Sequence, residues 1–105
     1  MNPNKNIYLL SYDISNDKRR NKIAKLLQQF GYERIQLSVF TGLTAPHRNK
    51  VLWEKLKTLA DFNNFPENRI ICLAISKTAF RNLKIIGNFN ADIDYITGLK
   101  HTEII

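Results

Sequence analysis

Ile7-Tyr8-Leu9-Leu10-Ser11-Tyr12-Asp13-Ile14-Ser15 is the stretch on which the reading of this chain turns. It is apolar and aromatic with no breaker, the composition of a strand over residues 7–13. Its alternate positions are Ile7, Leu9 and Ser11 on one face and Tyr8, Leu10 and Tyr12 on the other, so both faces are mostly apolar. The strand delivers one carboxylate, Asp13, to its end. A cationic segment follows at once, Asp17-Lys18-Arg19-Arg20-Asn21-Lys22. An acid at a strand tip beside four bases suits a metal-assisted phosphate site, and it equally suits a strand-to-helix connection with a capping acid.

Outward from that stretch, Ser15 or Asn16 offers an N-cap oxygen, and Ile23, Ala24, Leu26, Leu27 and Phe30 recur at helical spacing over residues 17–30. Gly31 stands where a positive φ closes a helix. Lys18, Arg19, Lys22 and Lys25 occupy much of the opposite face, a solvated helix surface or an anion-binding one. Bases in a first helical turn oppose the macrodipole, so helix stability does not account for them. Residues 32–42 alternate as a second strand. Pro46 opens a second helix that carries Val51, Leu52, Leu56, Leu59 and Ala60 inward and Arg48, Lys50, Lys55 and Lys57 outward. Residues 63–68 read as a turn and 69–76 as a third strand, apolar on both faces. A turn over 77–82 then leads to a further strand, Leu83-Lys84-Ile85-Ile86, ended by Gly87. Residues 88–105 are polar and poorly periodic but finish on Ile104-Ile105.

The order is βαββαβ-like, an α+β fold in one domain spanning residues 1–105. Two helices cover only one face of such a sheet, so a second copy of the chain is the simplest cover for the other. The Ile104-Ile105 tail is then free to add a strand to that partner's edge.

Charge points to the class of partner. The net charge is +7: the first 60 residues hold eleven Lys/Arg against four Asp/Glu, and the other 45 hold five of each. Positive charge clustered in one part of a fold is the footprint of a polyanion. Cys72 is the only cysteine, so no internal disulfide forms. The polar start lacks the hydrophobic region of a signal peptide and no apolar run reaches the length of a membrane span, so a cytoplasmic protein is expected. His47 and His101 are isolated, and Asp92 and Asp94 suit a solvated turn. No phosphate-binding glycine loop, zinc spacing or nucleophile triad is present. Tyr8, Tyr12, Phe40 and Trp53 are able to stack on bases, but the aromatic–glycine signature of RNA-recognition sheets is missing and core packing is the plainer role.

Tyr12-Asp13-Ile14, Arg20-Asn21-Lys22, Gly31 and Arg34-Ile35-Gln36-Leu37-Ser38-Val39-Phe40 together resemble the CRISPR-associated Cas-two family. The likeness continues less strictly to the Ile-Ile end. The resemblance implies a ferredoxin-like βαββαβ sandwich with an additional C-terminal strand, and a homodimer in which residues 88–105 pair with the partner. It implies Mg²⁺ held by the two copies of Asp13. It also implies spacer acquisition, with the dimer bridging dimers of the Cas-one integrase and holding double-stranded DNA. Members include RNases acting on single-stranded RNA, DNases and inactive chains. Asp13 falls at the metal-binding acid, and Tyr12, Arg20, Arg34 and Phe40 fall at positions linked to nuclease activity. Lys18, Arg19, Arg20, Lys22, Lys25 and Arg34 form the implied nucleic-acid surface. Lys22 stands where some members carry Arg, which keeps the charge but loses the bidentate fork. A metal-dependent endonuclease is the leading expectation, and a non-catalytic DNA-binding scaffold is the alternative.

Overall fold

A computed structural model describes residues 6–89, 91 and 93–97. Strand β1 (Asn6–Asp13) leads to helix α1 (Asp17–Gln29), then to strands β2 (Glu33–Gln36) and β3 (Val39–Gly42). A single 3-10 turn, Pro46–Arg48, precedes helix α2 (Lys50–Ala60). Strand β4 (Arg69–Ser76) and the short helices α3 (Lys77–Arg81) and α4 (Ile93–Ile96) complete the described chain. The four strands form one sheet in the order β2-β3-β1-β4, with every neighbouring pair antiparallel. This is the expected ferredoxin-like βαββαβ arrangement.

β1 is central because both of its edges are paired. Leu10 sits opposite Phe40 on one side and Cys72 on the other, and Leu9 sits opposite Thr41 and Leu73. Side chains of directly paired residues share a face, so the register sorts the whole sheet. Leu10, Tyr12, Phe40, Ile70 and Cys72 face the helices and meet Ile23, Leu26 and Leu27 of α1 and Leu52 and Leu56 of α2. Each large side chain buried there contributes about 1.5–3 kcal/mol.

The helices start and stop as their sequences dictate. Asn16 caps α1 by accepting the Arg19 N–H at 3.0 Å, and Asn49 caps α2 by accepting the Leu52 N–H at 3.1 Å. Each such cap is worth about 1 kcal/mol. Gly31 has φ of 87° beyond the end of α1. Its N–H donates to the Gln28 carbonyl and that of Tyr32 to the Leu27 carbonyl, the paired bonds that close a helix at a left-handed glycine. Pro46 begins the 3-10 turn, and α2 restarts only at the Asn49 cap.

Three expectations are corrected. Residues 32–42 form a hairpin of two strands, with Leu37 and Ser38 at its turn and a register irregularity between Arg34 and Gln36. Alternation continues through a tight turn, so its pattern alone does not reveal the break. Residues 77–81 are helical, capped by Ser76, whose hydroxyl accepts the Ala79 N–H at 3.0 Å. Leu83–Ile86 is not a strand: no described neighbour supplies ladder hydrogen bonds, and Ile86 is fully exposed.

The sheet face away from α1 and α2 is covered at one end only. Ile7 is buried there with Phe80 and Ile96, and Ile35, Ile75 and Ile93 pack around them. Toward the other end Ile71 and Leu73 are each 58% exposed. The expected partner pairing of residues 88–105 falls mostly outside the described residues, as do Asp92, His101 and Ile104-Ile105; Asp94 lies in α4. Among the described residues no helix is long and apolar enough to cross a membrane.

Tyr32 packs its ring directly over Gly42 and donates its hydroxyl to the Thr44 carbonyl. Burial pushes the Tyr32 phenol above its ordinary pKa, partly offset by that hydrogen bond. A Cβ on Gly42 would lie 2.4 Å from the ring. Gly42→Ala is therefore expected to cost about 1–3 kcal/mol, read as a lower denaturation midpoint with an unchanged urea m-value.

Candidate functional site

Asp13 is the last residue of β1 and is exposed. It points to the sheet face opposite the helices, in register with Ile7, Leu9 and Ser11. Directly across β4 stands Arg69, also exposed, and Ile71 and Leu73 follow on the same face. The Asp13 carboxylate makes no hydrogen bond or ion pair with another described residue. The site is therefore a free carboxylate beside a cation, at the open end of an apolar surface.

Asn68 holds that end of the sheet in place. Its side chain is buried, its Nδ2 donates to the Ala60 carbonyl at 2.7 Å, and its Oδ1 accepts the Ser15 N–H at 3.1 Å. The Ser15 hydroxyl adds a bond to Glu67 at 3.1 Å. One amide thus ties the loop after Asp13 to the C-terminal end of α2 and to the start of β4. Arg20 reinforces the same loop: its Nη1 donates to the Ile14 carbonyl at 2.9 Å and its Nη2 pairs with Asp17. Arg20 therefore lies beside the Asp13 loop, half-buried, with part of its donor set engaged.

The remaining residues singled out in the sequence divide by face. Tyr12 and Phe40 are core residues on the helical side, with ring centroids 6.2 Å apart and planes 22° from parallel. Neighbours in a strand point oppositely, so Tyr12 and Asp13 do not share a surface. The Tyr12 hydroxyl donates at 3.5 Å to the Leu37 carbonyl in the hairpin turn. Arg34 is exposed on β2 with its guanidinium 5.2 Å from the Phe40 ring centroid, a cation–π arrangement.

Arg19 has a structural engagement that sequence reading missed. Its Nη1 donates to the Thr58 and Leu59 carbonyls at 3.3 and 3.1 Å, and its Nη2 lies 3.3 Å from Asp61. It also stands over the Phe65 ring at 5.4 Å. Its unfavourable place in the first turn of α1 is answered at the end of α2, where a cation meets free carbonyls. Lys18, Lys22 and Lys25 have no such attachment and remain exposed. Lys22 and Lys25 join Lys55 on the rim of an open groove of about 490 Å³ between α1 and α2, floored by Leu26 and Leu59.

Among the described residues, Asp13 is the hard ligand offered at this end of the sheet. Among the described residues no three His, Cys, Asp or Glu side chains converge. A lone exposed carboxylate fits Mg²⁺ or a similar cation only as a partial site, completed by waters, phosphate oxygens or a second protein carboxylate. Neither Arg69 nor Asn68 was legible as a neighbour of Asp13, because one sequence does not disclose strand register. Asn68→Ala should lower stability by about 1–3 kcal/mol, since it leaves the part-buried Ser15 N–H and the buried Ala60 carbonyl without their partner together. Amide exchange at Ser15 should accelerate in that variant.

Comparison with known proteins agrees with this geometry. Residues 6–83 match the family model described as CRISPR associated protein Cas2. The chain is 64% identical over 81 residues to a CRISPR-associated endoribonuclease Cas2 of Chloroflexus aurantiacus, covering 77% of this chain and 84% of that one. It is 47% identical over 51 residues to a Pyrobaculum aerophilum relative of that description, 49% of this chain. An Archaeoglobus fulgidus relative is 46% identical over 46 residues, 44% of this chain. The matches span only about half the length of those two relatives, 56% and 49%. Among solved structures, a hypothetical protein from Thermus thermophilus superposes with a TM-score of 0.63 at 27% identity, covering 83% of this chain and 96% of that one. A chain of a partial Cas6-RT-Cas1–Cas2 complex gives 0.61 at 30% identity, covering 77% and 90%. The match over residues 6–83, which spans all four strands with α1 and α2, shows that this chain belongs to the CRISPR associated protein Cas2 family.

Proposed function

We propose that this chain is a homodimeric nucleic-acid-binding protein of CRISPR adaptation, with a metal-dependent phosphodiesterase centre built on two copies of Asp13. The observation that carries the reading is the exposed Asp13 carboxylate on the same sheet face as exposed Ile71 and Leu73. An apolar sheet face left open beside a free acid is a surface for self-association. Twofold packing of that face would set two Asp13 carboxylates near one axis and supply the second ligand that one chain lacks. Bound there, a divalent cation would polarise a phosphate and lower the pKa of water.

The chain's own residues supply the rest. Arg69 and Arg20 add positive charge at the end of the sheet that carries Asp13, where charge develops on a reacting phosphate. Arg34 adds a further cation, steadied by Phe40. Tyr12 and Phe40 act as positioning residues, fixing the hairpin turn against β1 from inside the core. Lys18, Lys22 and Lys25 give sequence-independent contacts to phosphates through counterion release. A similar chain stands in a Cas6-RT-Cas1–Cas2 complex, which supports a partner of the Cas1 type; to this the proposal adds double-stranded DNA held between subunits and a cytoplasmic location. The names of the relatives support endoribonuclease activity, so single-stranded RNA is the first substrate to test.

A non-catalytic scaffold is the second reading, favoured by the absence of a convergent ligand set among the described residues. Cleavage assays with Mg²⁺ and with chelator separate the two. Asp13→Ala should abolish metal-dependent cleavage while leaving nucleic-acid affinity within about twofold; cleavage that survives overturns the catalytic assignment, and inactivity of the unaltered protein favours the scaffold. Leu73→Asp should convert a dimer to a folded monomer in sedimentation and small-angle scattering. A dimer that persists in Leu73→Asp would place the interface elsewhere.

A further inference from the structure

At the end of the sheet away from Asp13 lies an open basin of about 570 Å³, lined by Tyr8, Thr44, Ala45, Arg48, Asn49 and Lys50. Tyr8 is five residues from Asp13 along β1, about 17 Å at strand rise. The basin is separate from the site already described.

Three features distinguish it from ordinary surface. Tyr8 pairs across the sheet with Gly42 and Ala74; the Tyr32 ring fills the space over Gly42, while the small Ala74 leaves the other side of the half-buried Tyr8 ring without a large cross-strand neighbour. Its hydroxyl makes no hydrogen bond with another described residue. Arg48 and Lys50 are both exposed and pair with no acid among the described residues, and no acidic side chain lines the basin. Finally, Lys50 opens α2 with no acid in the first turn, an arrangement that costs helix stability. Asn49 offsets part of that cost with its cap, but the cations remain uncompensated.

We infer that this basin is a second binding surface for single-stranded nucleic acid, in which Arg48 and Lys50 take adjacent phosphates and an unpaired base stacks on Tyr8. Two cations beside an accessible aromatic ring are the elements of single-strand recognition. The hydroxyl of Tyr8 lies free to meet a base edge or a ribose. A duplex keeps its bases stacked on each other and meets only the two cations, through its phosphates. This rests on the nucleic-acid reading above and extends it to the other end of the sheet.

Fluorescence anisotropy with a short labelled oligonucleotide, single-stranded and as its duplex, across a salt titration, tests it. Both cations are exposed, so Arg48→Gln/Lys50→Gln keeps the fold, which a melting curve checks. That variant should bind the single strand more weakly, with the log–log salt slope reduced by about 0.7 for each phosphate no longer neutralised. Tyr8→Leu should weaken single-strand binding about tenfold and leave duplex binding unchanged. An unchanged affinity and slope in the double variant, with binding weakened by Lys22→Gln/Lys25→Gln, overturns the inference and leaves the functional reading intact. Equal weakening on single strand and duplex in Tyr8→Leu overturns the stacking role. If that variant does not fold, the salt slope of the double variant decides alone. Failure of the unaltered protein to bind either probe overturns the functional reading and the inference with it.

Discussion

The constraint on which the structure depends is the pairing of β1 along both of its edges. A central strand has no freedom of register: a shift by one residue would exchange the two faces, burying Asp13 among leucines and exposing Tyr12. Full pairing with β4 from Asn6 to Asp13, and with β3 from Tyr8 to Ser11, excludes that exchange. The same alternation puts a core aromatic and a free carboxylate at adjacent positions. Leu10, Tyr12 and Phe40 anchor the helical layer, while Asp13 stands on the opposite surface beside Arg69. The acid is accessible because its neighbours are firmly buried.

Polar contacts then fix what the apolar core leaves loose. The loop after Asp13 would be free to swing were it held by packing alone. Asn68 and Arg20 together take up the Ser15 N–H and the Ile14 carbonyl, and Asn68 reaches Ala60 at the end of α2. Asp61 there adopts a left-handed conformation, φ 47°, which Asp tolerates better than most residues. Arg19 meets both that carboxylate and the free carbonyls of the last turn. Two of the bases that follow Asp13 in the chain are thus structural ties, and the lysines of α1 form the surface that is free for anions. Net positive charge does not separate these roles, whereas hydrogen bonding does.

The positions of β1, α1 and β4 and the body of α2 were legible because each carries its own local signal: a cap oxygen offered at Ser15 or Asn16, a closing glycine at position 31, and apolar residues at the spacing of the element; the Asn49 cap that starts α2, beyond Pro46, was not. The hairpin at Leu37-Ser38 was not, because alternation passes through a tight turn without a glycine or proline to mark it. Leu83–Ile86 misled for the opposite reason. An apolar run of that length has strand composition, but a strand exists only where another edge completes its hydrogen bonds. Of the site, Asp13 and Arg20 were legible from their place in the chain. Arg69 and Asn68 were not, since they reach Asp13 through register and a long-range hydrogen bond.

By itself the sequence determined the order of elements, the two-sided apolar character of β1 and the concentration of positive charge in the first 60 residues. These are properties of neighbours in the chain, and periodicity, capping and charge report them directly. Tertiary structure decided which face each side chain occupies, which bases are engaged and which are free, and what stands beside Asp13. Those depend on contacts between residues distant in sequence, such as Ser15 with Asn68 and Arg19 with Thr58. Such contacts form only once strand register and helix packing have brought their partners together.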